Sequence, residues 1–525
     1  MELRDPTTPG AAGAPAGAAG LPARTAGSAP GGWGSRAARR LDVLLLVLAL
    51  ALAVGLGCYR ITDPWEDGFR GINGGAYTGN FVNRYLELGL AGTRGCGITI
   101  VEPLHPPVLQ SYVNHPSTYP LLVLLPCAVL GVSEVVIRGA SLLLYLPAVL
   151  AVWAIARRFL GAPGAGAAAL LFATAPMTAY WGPMANPDPG TMAASLGAIW
   201  AFLRYAERPG RGRAVALGAL WVLACLMDWT GFFAGVAILL LVPLAADRRA
   251  AFRAALVLGA LSLLPLLLIV LHTAWISRGF AEGFEALRVL TGNAGGSETP
   301  FGALLAIKAG HLGRWIGWPM LALGALGVAV GLLGGRAWRR ALLAGLVLTL
   351  PGVLNALIFQ HHAAIHDYWM MHSTPGLALL AAIPVAWAIA RPARAAGGLA
   401  LAALLGVAAF GARDTLATVD HFRTTIHRDL GALFNTAFGE GDVLAADVSL
   451  RTVSYYSRAC LVGPIVRAPQ ARKVLERYDD VLRSGHSVGF VIAPREAETP
   501  LGKFLAGLGP RQQLGPFLMY RVSGR

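Results

Sequence analysis

Apolar stretches of about 20 residues recur along this chain, and arginine pairs and triplets punctuate them. A helix of about 20 residues rises roughly 30 Å, the thickness of a bilayer core. The stretches lie at 41–58, 137–156, 163–181, 190–204, 214–228, 231–246, 254–275, 316–335, 341–359, 373–390 and 396–411. Arg36, Arg39 and Arg40 precede the first, and Arg157 and Arg158 follow the second. Further clusters stand at 204–213, 248–253, 336–340 and 391–394. With about 11 crossings every cluster falls on one side, which the positive-inside rule makes cytoplasmic, and the C-terminus falls outside. The apolar stretch 118–133 would break that pattern if it crossed. It is therefore expected to lie in the outer interface or to re-enter; the alternative is a crossing beside a broken neighbour.

Composition agrees. The chain has 525 residues, of which 55% are hydrophobic and 14% charged, against roughly 25% charged in soluble domains. The expected fold class is a polytopic α-helical membrane protein of about 11–13 transmembrane helices with a small extracytoplasmic C-terminal α/β domain. The formal charge of +15 comes almost wholly from arginine, Lys308, Lys473 and Lys503 being the only lysines. No basic–aromatic module accompanies it, which argues against nucleic acid as a partner. The first ~38 residues, rich in Ala, Gly and Pro, cannot bury a core and read as a disordered cytoplasmic tail. The run 41–58 reads as an uncleaved anchor. The five cysteines show no metal spacing. Residues 39–411 form the expected membrane domain and 412–525 the outer domain. In the latter, Asp442–Val448, Val488–Ala493 and Phe517–Val522 read as buried strands, with helical periodicity over 468–484.

The segments left outside hold most of the polar residues. Asp63, Glu66, Asp67, Arg70, His105 and His115 fall in 59–117, Asp188 in 182–189, and Glu282, Glu285 and Glu298 in 276–315. His361, His362, His366 and Asp367 fall in 360–372. A transporter more often carries its ionisable groups in mid-membrane and shows internal repeats. This layout instead describes a catalytic face at the outer leaflet. A surface-polysaccharide ligase would share that face but carry a large late loop, and the loop at His361 is short.

The order of parts is specific. An anchor and an acidic loop lead to Asn114-His115-Pro116-Ser117-Thr118-Tyr119-Pro120, then to Gly131–Ser141, then to a helix ending Ala156-Arg157-Arg158. The next helix leads into Asn186-Pro187-Asp188-Pro189. From about 41 to 390 this resembles the membrane glycosyltransferases of the C superfamily, in particular the bacterial protein-mannosyltransferase-like branch that includes the aminoarabinose-to-lipid-A transferases. The resemblance implies transfer of a hexose or pentose from a polyprenyl-phosphate donor, with inversion, to a lipid, glycan or protein acceptor in the cell envelope. It also implies an acidic residue in the first outer loop as base or organiser of the site, matched by Asp67 with Glu66 beside it. A second acidic motif matches Asp188, and a basic or histidine position before proline matches His115. The chain departs from its relatives at Asn73-Gly74, where an Asp-Glu pair is common.

Such chemistry needs a base for the acceptor and a stabilised leaving phosphate. Asp67 is the expected base, the bland reading being a loop carboxylate satisfied by backbone N–H groups. Asp188, between two prolines at a helix start, reads as a substrate- or metal-orienting group or a plain cap. His362 and His366, four apart, share a helix face beside Asp367. They suit phosphate contact, a divalent metal, or an ordinary interface. Arg70, Arg84 and Arg94 are alternatives for the phosphate, and Asp228 is a further acidic candidate at a helix end. No cofactor other than that possible metal is implied.

Overall fold

The computed structural model describes residues 36–104, 106–277, 300–391, 394–446, 450–463 and 467–523. Most of the expected disordered tail, His105 and the three glutamates of 276–315 lie outside those residues.

The chain is a bundle of apolar helices with a small sheet domain on one end. Six helical segments among the described residues are long and apolar enough to cross a membrane: Arg36–Cys58 (α1), Glu134–Leu160 (α4), Arg248–Ile276, Arg336–Ile358, Asp367–Ile389 and Arg394–Asn435. A seventh forms if Phe301–Trp315 and Trp318–Leu333, bent by 104° at their junction, count as one span. Several other stretches read as crossings form shorter helices. Residues 163–181 divide at Ala175-Pro176 into Ala162–Thr174 (α5) and Pro176–Trp181 (α6), because proline cannot donate the helical hydrogen bond and disfavours a helical residue before it. The 118–133 stretch forms a helix of 13 residues, Thr118–Leu130 (α3), about 20 Å long and too short to span.

Helix α5 is buried along its whole length. Its small residues let α1 approach closely: a Cβ on Gly166 would stand 2.7 Å from Leu45 Cβ and 2.9 Å from Asp42 O. This is small-residue packing between membrane helices. Asp42 is buried there, accepting a hydrogen bond from Trp153 Nε1 at 2.9 Å with Arg157 3.8 Å away.

Polar contacts gather the arginine-bearing helix ends at one end of the bundle. Glu207 pairs with Arg158 and Arg204, Asp247 N donates to Ala206 O, and Arg340 donates to Leu244 O. Helix Pro187–Glu207 (α7) runs from that end to Asp188, about 30 Å by its 21 residues. The acidic and histidine-bearing loops therefore occupy the opposite face.

The first loop folds as a π-helical turn, Arg70–Ala76, then helix Tyr77–Gly92 (α2) and an antiparallel hairpin, Gly97–Glu102 (β1) and Val108–Tyr112 (β2). Two of its glycines are sterically required. A Cβ on Gly75 would lie 2.0 Å from the Trp65 ring, and one on Gly71 2.0 Å from Glu66 O.

The C-terminal domain is a five-stranded mixed sheet. Its strands are Val443–Ala446 (β3), Cys460–Val462 (β4), Ser487–Ile492 (β5), Arg511–Leu514 (β6) and Phe517–Ser523 (β7), in the order β4-β3-β5-β7-β6. The first three are parallel, and β7 runs antiparallel to β5 and β6. Helices Ala468–Arg477 and Asp479–Arg483 occupy the stretch expected to be helical. The last long membrane helix continues to His421 before this domain begins. Buried Glu102 docks the domain, accepting from Arg477 at 2.7 and 2.8 Å and from Tyr478 OH at 3.1 Å. Tyr456 adds a second tie, donating to Glu134 and accepting from Trp65 N.

Candidate active site

A cavity of about 270 Å³ opens where the first loop, the start of α7 and the 360–372 segment meet. One wall is aromatic: Tyr77, Phe81 and Tyr112 pack with ring centroids 5.4–5.6 Å apart. His115 stacks on Tyr112, and Phe69 meets His366 edge-on at 4.4 Å.

Asp188 lines this cavity and is almost fully buried. Pro187 fixes the first turn of α7, and Asn186 is extended before it, as the residue preceding proline prefers. Asn186 Nδ2 donates to Asp188 Oδ2 at 2.7 Å, and His372 Nε2 stands 3.3 Å from Oδ1. The carboxylate is thus held by side chains and not used as a plain helix cap. Burial pushes its pKa above the ordinary carboxylate range, aided by nearby Asp228 and opposed by His372 and His115.

His115 lines the same cavity, its Nδ1 2.7 Å from Asp228 Oδ1. Burial alone would lower its pKa, but the charge and hydrogen bond of Asp228, with the charge of Asp188, carry it above the ordinary histidine value. His362 and His366 complete the far wall, with rings 5.7 Å apart.

The other expected residues stand elsewhere. Asp67, expected as the base, does not line the cavity. Its side chain is 64% exposed and accepts from Gly68 N, with His427 3.7 Å away. Gly68 follows at φ +81°, turning the chain so that Phe69 reaches the cavity instead. Glu66 is buried and lies 3.3 Å from Arg70, 3.6 Å from Arg138 and 3.3 Å from Tyr180 OH. Arg70, an expected phosphate ligand, is committed to that network and to the face of Tyr180. Arg84 pairs with Glu87, and Arg94 donates to the carbonyls of Trp275 and Ile276. Asp367 also does not line the cavity; it accepts from Trp315 Nε1 and pairs with His311, while Lys308 donates to His366 O. Among the described residues no three His, Cys, Asp or Glu side chains are arranged to hold a metal ion.

His372 carries no sequence motif, because its pairing with Asp188 spans 184 positions. Asp228 is legible as an acidic residue at a helix end, but its partnership with His115 spans 113 positions and leaves no local signal.

Beside this cavity lies a second of about 250 Å³, which shares Tyr112, His115, Pro116 and Ser117 with it. The rest of its wall is mostly apolar, including Leu121, Leu226, Leu268, Ile269 and Ile276.

A polytopic helical bundle with its polar site at one face and a small appended sheet domain is a fold shared with solved membrane proteins. ArnT from Cupriavidus metallidurans bound to undecaprenyl phosphate superposes with a TM-score of 0.61 over 91% of this chain and 97% of its own, at 14% identity. The oligosaccharyltransferase AglB from Archaeoglobus fulgidus, in complex with an inhibitory peptide and a dolichol-phosphate, gives 0.55 over 91% and 74%, also at 14% identity. The mycobacterial arabinofuranosyltransferase AftD gives 0.51 over 93% and 40%, at 13% identity. Residues 114–275, from the turn bearing His115 through Asp188 and Asp228, match the family described as dolichyl-phosphate-mannose-protein mannosyltransferase. That match covers about a third of the chain, and the likeness to the solved structures is one of fold. No curated protein matches it significantly.

Proposed function

We propose that the protein transfers a sugar from a polyprenyl-phosphate donor to an acceptor in the cell envelope, at the outer face of the bacterial cytoplasmic membrane, with inversion. The observation that carries this reading is the pair of adjoining cavities. A lipid-linked sugar phosphate is polar at one end and isoprenoid at the other. The sugar fits the cavity holding Asp188, the phosphate-proximal end of the isoprenoid chain fits the apolar one, and the phosphate falls at the wall they share, beside His115. ArnT, which shares the fold, was determined bound to undecaprenyl phosphate.

In this mechanism an acceptor hydroxyl or amine attacks the anomeric carbon from the side opposite the phosphate. Asp188 takes the acceptor's proton as the new glycosidic bond forms. The bond from the anomeric carbon to phosphate oxygen breaks, and polyprenyl phosphate leaves with the electron pair. Imidazole N–H groups of His115, His362 and His366 stabilise that charge. Asp188 is preferred to Asp67 and Glu66 because it alone of the three lines the cavity. The arginine-rich end of the bundle sets the orientation, leaving the cavity and the sheet domain extracytoplasmic. The test is transfer from a radiolabelled polyprenyl-phosphate sugar in proteoliposomes. Asp188→Asn is expected to lose about 10²–10⁴-fold in rate while remaining folded, and a variant with normal turnover would refute the assignment.

A further inference from the structure

Two loops distant in sequence are locked together around His115. Trp229 Nε1 donates to Asn114 O at 2.9 Å. Asp228 Oδ1 meets His115 Nδ1 at 2.7 Å, and Thr230 Oγ1 donates to Asp228 Oδ2 at 2.8 Å. The 228–231 turn packs closely on the preceding helix, since a Cβ on Gly231 would stand 2.1 Å from Ala224 O. Asp228 is nearly fully buried, with its side chain 3% exposed, against 23% for His115. The Tyr112 ring stacks on the imidazole, fixing its plane. Every one of these contacts orients one imidazole, and that imidazole stands in the wall common to the two cavities.

Resting on the donor reading above, we infer that Asp228 is a positioning residue. It holds His115 as an imidazolium with Nδ1–H toward the carboxylate, so that Nε2–H faces the shared wall and binds the donor's phosphate. A ring nitrogen fixed by a carboxylate leaves the opposite nitrogen with a defined role, and a charged donor makes the stronger hydrogen bond to phosphate. No lysine or arginine lines either cavity among the described residues, so the phosphate charge falls to histidine. The titratable groups around His115 are Asp228 from the 228–231 turn, Asp188 from α7, Tyr112 from β2, His362, His366 and Tyr368 across the first cavity, and His272 across the second. The two carboxylates favour the charged ring, and the other histidines oppose it when protonated.

The test is binding of farnesyl phosphate to the full-length protein in detergent, by calorimetry from about pH 5.5 to 8.5, spanning the histidine range. Wild type should bind at low pH and lose affinity as pH rises through the elevated value of His115. Asp228→Asn should move that midpoint down by about 1–3 pH units, with low-pH affinity within about twofold of wild type. Asp228→Glu should recover part of the shift, since it restores charge. His115→Gln should bind weakly and remove the His115 step, leaving the phosphate's own ionisation near pH 6 as background. The inference is overturned if Asp228→Asn keeps the wild-type midpoint or loses affinity equally at every pH, as a merely structural role would require. It is equally overturned if His115→Gln retains the step, or if wild-type affinity rises with pH, as it would with a neutral ring. Wild type that binds farnesyl phosphate at no pH sinks the donor reading itself, together with this one.

Discussion

Glu66→Gln separates structure from chemistry in the acidic first loop. Glu66 is 7% exposed, Arg70 6% and Arg138 4%, so solvent screens this network little. Its carboxylate is the one negative charge within 4 Å of both guanidinium groups among the described residues. Glutamine keeps the volume and an acceptor for Tyr180 OH, yet leaves two buried cations without a counter-charge. Breaking a buried pair in this way costs about 3–5 kcal/mol. The contacts at 3.3 and 3.6 Å are longer than the 2.7–2.9 Å of tight charge-assisted bonds, which favours the lower end, about 3 kcal/mol. Arg138 also donates to the carbonyls of Ile61, Asp63 and Pro64, and its guanidinium lies over Trp65. The loss should therefore loosen the entire 61–66 turn. The assay is unfolding in mixed micelles by a denaturing detergent, for wild type, Glu66→Gln, Arg70→Met and the double variant. The double variant should cost less than the sum of the singles by about 1–2 kcal/mol, as expected of residues in contact. If Glu66→Gln is as stable as wild type but transfer collapses by orders of magnitude, Glu66 is a catalytic group and this reasoning is wrong.

Four further outcomes follow from the same geometry. Transfer should fall on acidification along a limb lying above the ordinary carboxylate range: the base must be ionised, and Asp188's pKa is raised; a pH–rate profile flat down to about pH 4 would contradict it. Asp67→Asn should retain transfer within a few-fold of wild type, and loss comparable to Asp188→Asn in the same proteoliposome assay would restore Asp67 as the base. Glu102→Ala should speed proteolysis at the junction with the sheet domain by removing the acceptor for Arg477 and Tyr478; an unchanged cleavage rate would show that this contact does not hold the domain. A cysteine introduced near residue 480 should react with an impermeant reagent in spheroplasts, and protection would reverse the proposed orientation.

How much of this was legible in the sequence depended on range. Apolar length and arginine placement are local signals, and they gave the helical class. The sheet domain was legible because β3 and β5 are buried on both faces and read as continuous apolar runs. Crossing number was less legible, because a break such as Ala175-Pro176 changes helix length without changing apolarity. Of the residues that line the cavity, His115, Asp188, His362 and His366 carry a local motif or spacing in the sequence. What the sequence could not show was the direction of a side chain. Asp67 and Glu66 are adjacent, yet one faces solvent and the other two arginines. His372 and Asp228 meet partners more than a hundred residues away.

The fate of the donor lipid can be followed directly. Purified protein in proteoliposomes is given a polyprenyl-phosphate sugar labelled in the sugar, envelope lipids and glycans as acceptors, and the released lipid is identified by mass spectrometry. Label should leave the donor, free polyprenyl phosphate should appear in equal amount, and both should slow by about 10²–10⁴-fold in Asp188→Asn. Consumption of a soluble nucleotide sugar with the lipid-linked donor untouched would contradict the proposed function.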